Sequence, residues 1–369
     1  MRILFNSRKY DGVAGGVERM SVVLMNEMVR RGHQVALTSL DPPEARTFYP
    51  LDPAVDWTRI AIGDPSRRAS PREILARLAA MRGVVRRFRP DVIIGFQHGA
   101  FVAMAAAALG MGVPVIAAER NAPQRFDHQK DGHGRTFQFQ SFRLARFVTV
   151  QFDAYRDGYP DFIRDRIVSI PNPVGRVTKT ADPKGSETGR KTLLCVARLS
   201  AQKNPAVLVG AFGRLADDFP DWDLVLVGDG EDRAEIEALA ASAAPPGRIR
   251  LIGAQTDVAR HYRDAQLFCL PARWEGFPNA LAEAMAHGLP AVGFADCAGV
   301  NVLIQPDRTG LLAAPMGDEA ALAQALGALM ADPDRRAALG SAGRDAIAAY
   351  APDAVFDRWE ALFAQAARR

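Results

Sequence analysis

The chain predicts an α/β fold built twice: two Rossmann-like, doubly wound domains in succession. Three observations carry this. Short β-branched and apolar runs alternate with amphipathic stretches of helical length, the rhythm of βαβ units and a parallel sheet. The rhythm halts at residues 177–190 (VTKTADPKGSETGR), which are poor in large apolar side chains and carry Pro and Gly as interdomain linkers do. It then resumes, and 369 residues suffice for two ordinary cores. The expected layout is a first domain over residues 1–175, a linker over 176–190, a second domain over 191–350 and a terminal helix over 351–369.

In the first half, residues 2–6, 34–40, 91–97, 114–119, 146–151 and 166–172 read as strands. Helical patterns at 16–31, 71–88 and 100–109 lie between them. In the second half the strands are 191–198, 222–228, 248–253, 265–271, 290–294 and 310–314. Their helices are 205–217, 232–243, 257–263, 278–287 and 319–330. No sequence repeat relates the halves; only the alternation recurs. The last helix, residues 354–369, carries Phe356, Trp359, Leu362 and Phe363 on one face, a stripe that must dock on a core. Ligands are expected at the carboxyl edges of the strands, in a cleft between the domains.

Bulk properties narrow the class. A chain 48% apolar and 24% charged is globular, and no apolar run approaches the roughly 20 residues of a membrane-spanning helix. Met1 and Arg2 lead straight into a strand with no secretory signal pattern, so a cytoplasmic setting is expected. Cys195, Cys269 and Cys297 form no metal or redox pattern and read as small buried hydrophobes. A net charge of +4 is too small to argue for nucleic acid. Its distribution is uneven, because residues 67–89 hold eight arginines and one acid. Ile74, Leu78, Met81, Val85 and Phe88 make that segment an amphipathic helix, which packs its stripe on the sheet or lies on an anionic membrane.

The functional signature is Glu275-Gly276-Phe277-Pro278-Asn279-Ala280-Leu281-Ala282-Glu283, which reads as a loop leading into a helix closed by Gly288. Two acids at this spacing can straddle an extended polyol whose diphosphate lies over the helix N-terminus, where backbone N–H groups and the dipole favour an anion. Upstream, Arg198 and Lys203 follow a predicted strand; a guanidinium fork and an ammonium five residues apart can grip both phosphates. Taken alone, such a pair reads equally as solvated loop cations. Gly228-Asp229-Gly230 ends the next strand, where glycines permit a tight turn, and it lacks the full dinucleotide fingerprint, which excludes a nicotinamide cofactor.

In this order, each at a strand end, these pieces resemble the sugar-nucleotide site of retaining glycosyltransferases of the GT-B fold, family 4, over nearly the whole chain, and the resemblance implies that the final helix crosses back to pack on the N-terminal domain. The resemblance implies a nucleoside diphosphate-sugar donor, UDP-sugar favoured and GDP-sugar the alternative. It implies no cofactor and no metal, the cation's role falling to Arg, Lys and a helix dipole. Arg198 and Lys203 would bind the pyrophosphate and stabilise the leaving nucleoside diphosphate. Glu275 would contact the transferred sugar and Glu283 the ribose hydroxyls. Gly276, Phe277, Pro278, Asn279, Ala280 and Leu281 would supply backbone contacts, and Arg250 would lie by the base. Gly15 and Gly16 form the glycine-rich loop expected to face the diphosphate.

The sequence departs from many family members after the fourth predicted strand, where a histidine is common and this chain reads Glu119-Arg120-Asn121. A subgroup building bacterial surface polysaccharides and lipid-linked glycans shares this acidic start. Glu119 is thus counted with the catalytic residues, and Arg120, Asn121 and His98 with the acceptor side, followed by the polar stretch 124–135 with His128, Lys130, His133 and Arg135. A retaining transfer needs no side-chain base when the departing diphosphate takes the acceptor's proton. The expected acceptor is a growing polysaccharide or lipid-linked glycan, with the anionic inner membrane surface as a further partner. Two other readings stay open, a nucleotide-sugar epimerase of similar fold and a noncatalytic nucleotide-sugar or glycan-binding protein.

Overall fold

A computed structural model of the chain describes residues 1–128, 132–185 and 189–368. Lys130 of the expected acceptor stretch and residues 186–188 of the expected linker lie outside the described residues. The chain forms two compact units, one of residues 1–172 with 353–369 and one of residues 173–352.

In the first unit the strands are β1 (Arg2–Asn6), β2 (Gln34–Ser39), β3 (Asp56–Arg59), β4 (Val92–Phe96), β5 (Val115–Ala118), β6 (Phe147–Val150) and β7 (Ile167–Ser169). Among the described residues they form one sheet in the order β3-β2-β1-β4-β5-β6-β7, every pairing parallel. The helices are α1 (Gly16–Arg30), α2 (Pro71–Phe88), α3 (His98–Ala107), α4 (Gly132–Ser141) and the short α5 (Asp161–Arg164). α2 starts where the sequence says it should: Pro71 takes the first turn and Ser70 and Glu73 close a capping box.

The second unit contains β8 (Lys191–Val196), β9 (Trp222–Val227), β10 (Ile249–Leu251), β11 (Leu267–Leu270), β12 (Ala291–Phe294) and β13 (Gly310–Ala313). They pair in parallel in the order β10-β9-β8-β11-β12-β13. Its helices are α6 (Pro205–Gly213), α7 (Arg233–Ala243), α8 (Ala259–Asp264), α9 (Asn279–Ala286), α10 (Val300–Leu303), α11 (Glu319–Ala331) and α12 (Pro333–Ile347). The last helix, α13 (Pro352–Ala367), buries Val355, Phe356, Trp359, Leu362 and Phe363 in the core of the first unit. Phe363 meets Phe5 edge-on at 6.2 Å and Trp359 lies 6.4 Å from Phe96. Arg31 reaches Asp357 at 2.6 Å and Glu360 at 2.7 Å, which fixes the helix at its polar edge.

Five elements lie outside the sequence expectation, the short α5 and α10 together with β3, α4 and α12. β3 (DWTR) is a polar edge strand without the apolar alternation that marks a strand. α4 has little apolar periodicity. α12 carries Gly340 and Gly343, and a Cβ on Gly340 would sit 2.0 Å from the Gly288 carbonyl oxygen. Glycine there serves close packing of helix on loop rather than helix termination. The described part of residues 177–190 is also held to the second unit. Fully buried Arg336 donates to the carbonyls of Pro183 and Leu329, both at 2.7 Å, and Ala181 N–H donates to His287 O at 2.9 Å.

Candidate active site

In the second unit three loops leave the carboxyl ends of adjacent strands β9, β8 and β11, and backbone bonds tie them together. Leu199 N–H donates to Asp229 O at 3.0 Å and Asp232 N–H to Leu199 O at 3.1 Å, joining the loops after β8 and β9. Arg273 N–H donates to Gln202 O at 2.8 Å and Gln202 Nε2 to Trp274 O at 2.9 Å, joining those after β8 and β11. Glycine is required in the β9 loop. Gly228 has φ +139°, and a Cβ there would lie 2.0 Å from Ala197 O; at Gly230 it would lie 2.2 Å from Leu199 O.

This weave sets the charged groups. Lys203 Nζ forms an ion pair with Glu275 Oε1, and the Glu275 side chain is only 7% exposed. Glu275 N–H donates to Ala298 O at 3.0 Å, fixing the backbone that carries it. Arg198 is exposed and pairs with Glu231 at 3.0 Å. Phe277 and Pro278 are buried, and α9 starts at Asn279, so the amides of Ala280 and Leu281 fall in the first turn, where a helix leaves N–H groups without intrahelical acceptors. Glu283 lies one turn on and accepts the Tyr262 hydroxyl at 3.0 Å; Tyr262 in turn stacks on His287 at 5.1 Å. Arg250 stands on edge strand β10 with an exposed side chain. Lys203, Glu275, Gly228 and the start of α9 are thus gathered at one sheet edge, with Arg198 exposed beside them.

In the first unit, Glu119 directly follows β5 and is a buried carboxylate. Its Oε1 accepts from Arg120 N–H at 3.1 Å and Asn121 N–H at 3.2 Å, Gln138 Nε2 donates to Oε2, and Arg125 stands 3.7 Å away. Burial raises its pKa, with Arg125 and the two amides opposing. Arg120 is buried, bonded to Asn172, and burial lowers its pKa to about 10. His98 opens α3, bonds Ser141 Oγ at 2.8 Å and packs edge-on against Phe137 and Phe142. Desolvation, helped by Arg125, lowers its pKa to about 4, so the ring is neutral at pH 7. Ser141 Oγ also donates to Gln138 O at 2.7 Å, linking His98 to the Glu119 network. Gly15 caps α1, and a Cβ there would lie 2.2 Å from Glu18 Oε2. The carboxyl of Glu18 therefore occupies the helix N-terminus beside Gly15 and Gly16, with its pKa raised by burial.

Residues 177–346 match Glycosyl transferases group 1 and residues 14–175 match Glycosyltransferase Family 4. The chain belongs to glycosyltransferase family 4. It is 24% identical over 353 residues to an uncharacterized glycosyltransferase of Haemophilus influenzae, covering 95% of this chain and 97% of that one. It is also 24% identical over 356 residues to a Campylobacter jejuni α-1,4-N-acetyl-D-galactosaminyltransferase named for a diNAcBac-PP-undecaprenol-linked glycan, covering 95% and 96%. Among solved structures it is similar to the lipopolysaccharide outer core galactosyltransferase WaaB (TM-score 0.77, 17% identity, 99% of this chain and 100% of that one). It is similar also to Anabaena HepE in complex with UDP (TM-score 0.78, 15% identity, 99% and 100%). These likenesses show the GT-B fold.

The enzyme is accordingly a retaining, metal-independent glycosyltransferase that takes a nucleotide-sugar donor and a glycan acceptor. Among the described residues no helix is long and apolar enough to cross a membrane. Sequence reasoning missed Tyr262, Glu231, Arg125 and Gln138, the partners of Glu283, Arg198 and Glu119. Glu231, next to Gly230, and Arg125, inside the polar stretch 124–135, stood in segments already in view. Tyr262 and Gln138 lie 21 and 19 residues from their partners, and nothing in that spacing marks them.

Proposed function

We propose that this family 4 enzyme transfers a sugar from UDP-sugar to a hydroxyl of a growing lipid-linked glycan or surface polysaccharide. The observation that carries the donor reading is the Lys203–Glu275 pair, held at a strand edge beside Arg198 and the first turn of α9. An ammonium and a guanidinium next to a helix N-terminus suit a diphosphate, and a buried carboxylate beside them suits sugar hydroxyls. HepE, captured with UDP and with UDP-glucose, supports the choice of nucleotide. The Campylobacter relative's name supports the lipid-linked acceptor.

In this reading the bond from the anomeric carbon to the β-phosphate oxygen breaks while the acceptor oxygen bonds the same face of that carbon. The acceptor's proton passes to the departing phosphate oxygen. Arg198 and Lys203 offset the charge that develops on the diphosphate, Glu275 orients the sugar and Glu283 holds the ribose. Glu119, Arg120 and Asn121 serve the acceptor side, with Glu119 positioned by Gln138 and Arg125. Incubation with UDP-, GDP- and ADP-sugars tests the proposal: hydrolysis or transfer from UDP-sugar supports it. Epimer formation, turnover of another nucleotide alone, or binding without turnover contradicts it.

The exposed Arg72 and Arg86 of α2 extend the proposal to the anionic inner membrane face. Arg82 does not serve there, because it is bonded to Ala107 O and Leu109 O, both at 2.9 Å. Flotation with anionic liposomes at low salt, lost in the Arg72→Glu, Arg86→Glu variant, checks it. A wild-type protein that stays unbound sinks it.

A further inference from the structure

The first unit holds a cavity of about 590 Å³ between α2, α3 and the loop after β1. That is within the roughly 300–1,000 Å³ of small-molecule sites. Its walls are Ile74, Leu78 and Met81 of α2 against Val102, Ala103 and Ala106 of α3. Phe137 closes one side, and Ile74 and Phe137 remain 47% and 62% exposed, apolar surface left to water at the mouth. Such walls offer methyl and methylene groups to a ligand.

The charged lining has one sign. Arg8, Arg67, Arg68 and Arg77 stand around the cavity, and no carboxylate among the described residues lines it. Three of the four are held in place: Arg8 by Pro65 O at 2.9 Å, Arg77 by Ile62 O at 2.8 Å and Arg67 by Glu73 at 2.5 Å. Arg68 is exposed and makes no hydrogen bond or ion pair among the described residues. His98 also lines the cavity, which therefore adjoins the network running through Ser141 and Gln138 to Glu119.

An apolar slot rimmed by guanidinium groups complements a single amphiphile, an apolar chain bearing a phosphate. We propose that this groove seats the chain of the acceptor lipid phosphate, with Arg67 and Arg68 on its phosphate; the proposal rests on the reading that the acceptor is lipid-linked. A concave slot of this size takes one chain out of the lipid phase, which distinguishes it from adsorption of a convex basic face to a bilayer.

The test measures binding of farnesyl phosphate to the full chain by titration calorimetry, with saturating UDP present to occupy the donor site. Inorganic phosphate and farnesol serve as controls, and UDP-sugar hydrolysis is followed in parallel. Farnesyl phosphate should bind far more tightly than inorganic phosphate, because each buried methylene strengthens binding roughly fourfold. Ala106→Trp, which fills the slot from an exposed position, should weaken it at least about tenfold and leave hydrolysis unchanged. Arg68→Glu should weaken farnesyl phosphate but not farnesol, and it keeps the test decisive if Ala106→Trp fails to fold. Equal affinity in wild type and both variants overturns the proposal. So does binding to anionic vesicles without binding to farnesyl phosphate in solution. Hydrolysis without farnesyl phosphate binding overturns the groove alone, whereas farnesyl phosphate binding without any hydrolysis overturns the donor reading and leaves the groove standing.

Discussion

Lys203→Ala separates a working phosphate grip from an ordinary loop cation. The substitution leaves the Glu275 carboxylate, 7% exposed, without its ammonium. Losing one partner of a fully buried pair costs about 3–5 kcal/mol. The Lys203 side chain is 23% exposed, so water reaches part of the gap and the expected loss falls to about 2–3 kcal/mol. Urea denaturation followed through Trp222 and Trp274 fluorescence reads this directly. Adding Glu275→Gln should recover part of the stability, since no unpaired charge then stays buried. Turnover should behave differently. An ammonium facing the leaving diphosphate contributes roughly 10²-fold or more to kcat/KM for UDP-sugar, and neither Lys203→Ala nor the double variant should regain it. A stability loss below about 0.5 kcal/mol with near-wild-type hydrolysis would refute the reasoning on both counts.

Gly228→Ala forces a side chain into φ +139° and against a backbone oxygen 2.0 Å away, so a loss of at least about 2 kcal/mol is expected in the same denaturation assay; a neutral result would mean that the weave of loops is loose. Tyr262→Phe removes the donor to Glu283 and should raise KM for the nucleotide-sugar by roughly three- to tenfold with kcat nearly intact, as steady-state kinetics would show. His98 gives a pH signature: its folded pKa of about 4 lies below the ordinary imidazole value of about 6.5, so the unfolded chain takes up the proton first. Stability is then lost as pH falls from about 6.5 toward 4, by up to about 2 kcal/mol for a partly screened ring, and His98→Gln should remove that component in denaturation curves compared across the window. Parallel pH profiles for the two proteins would show that the ring titrates freely.

Much of this was legible because strand ends are legible. Arg198, Lys203, Gly228 and Glu275 each follow an apolar run that forms a strand, and in a parallel sheet such positions converge on one edge whatever the loops do. The stripe Phe356, Trp359, Leu362 and Phe363 announced a docking helix, and its acceptor proved to be the core around Phe5 and Phe96. Pairings were not legible. The bonds from Lys203 to Glu275, Tyr262 to Glu283 and Gln138 to Glu119 join residues with no periodic relation, and only the tertiary fold decides them. Local signals also misled. Gly340 sits inside α12 where two backbones touch, a role that nothing in its neighbours marks, and β3 carries too little apolar surface to stand out. The polar stretch after residue 176 read as a linker because its backbone contacts to Arg336 and His287 leave no trace in its own side chains.

The most direct measurement is proton NMR of the reaction with an α-linked UDP-sugar and a lipid-linked or oligosaccharide acceptor, following the anomeric signal of the new bond. The expected product carries the sugar in the α configuration, with UDP released in equal amount and no such signal from the Lys203→Ala protein. A β-linked product, an epimerised UDP-sugar, or full transfer by Lys203→Ala would contradict the assignment of retaining, UDP-dependent transfer to this site.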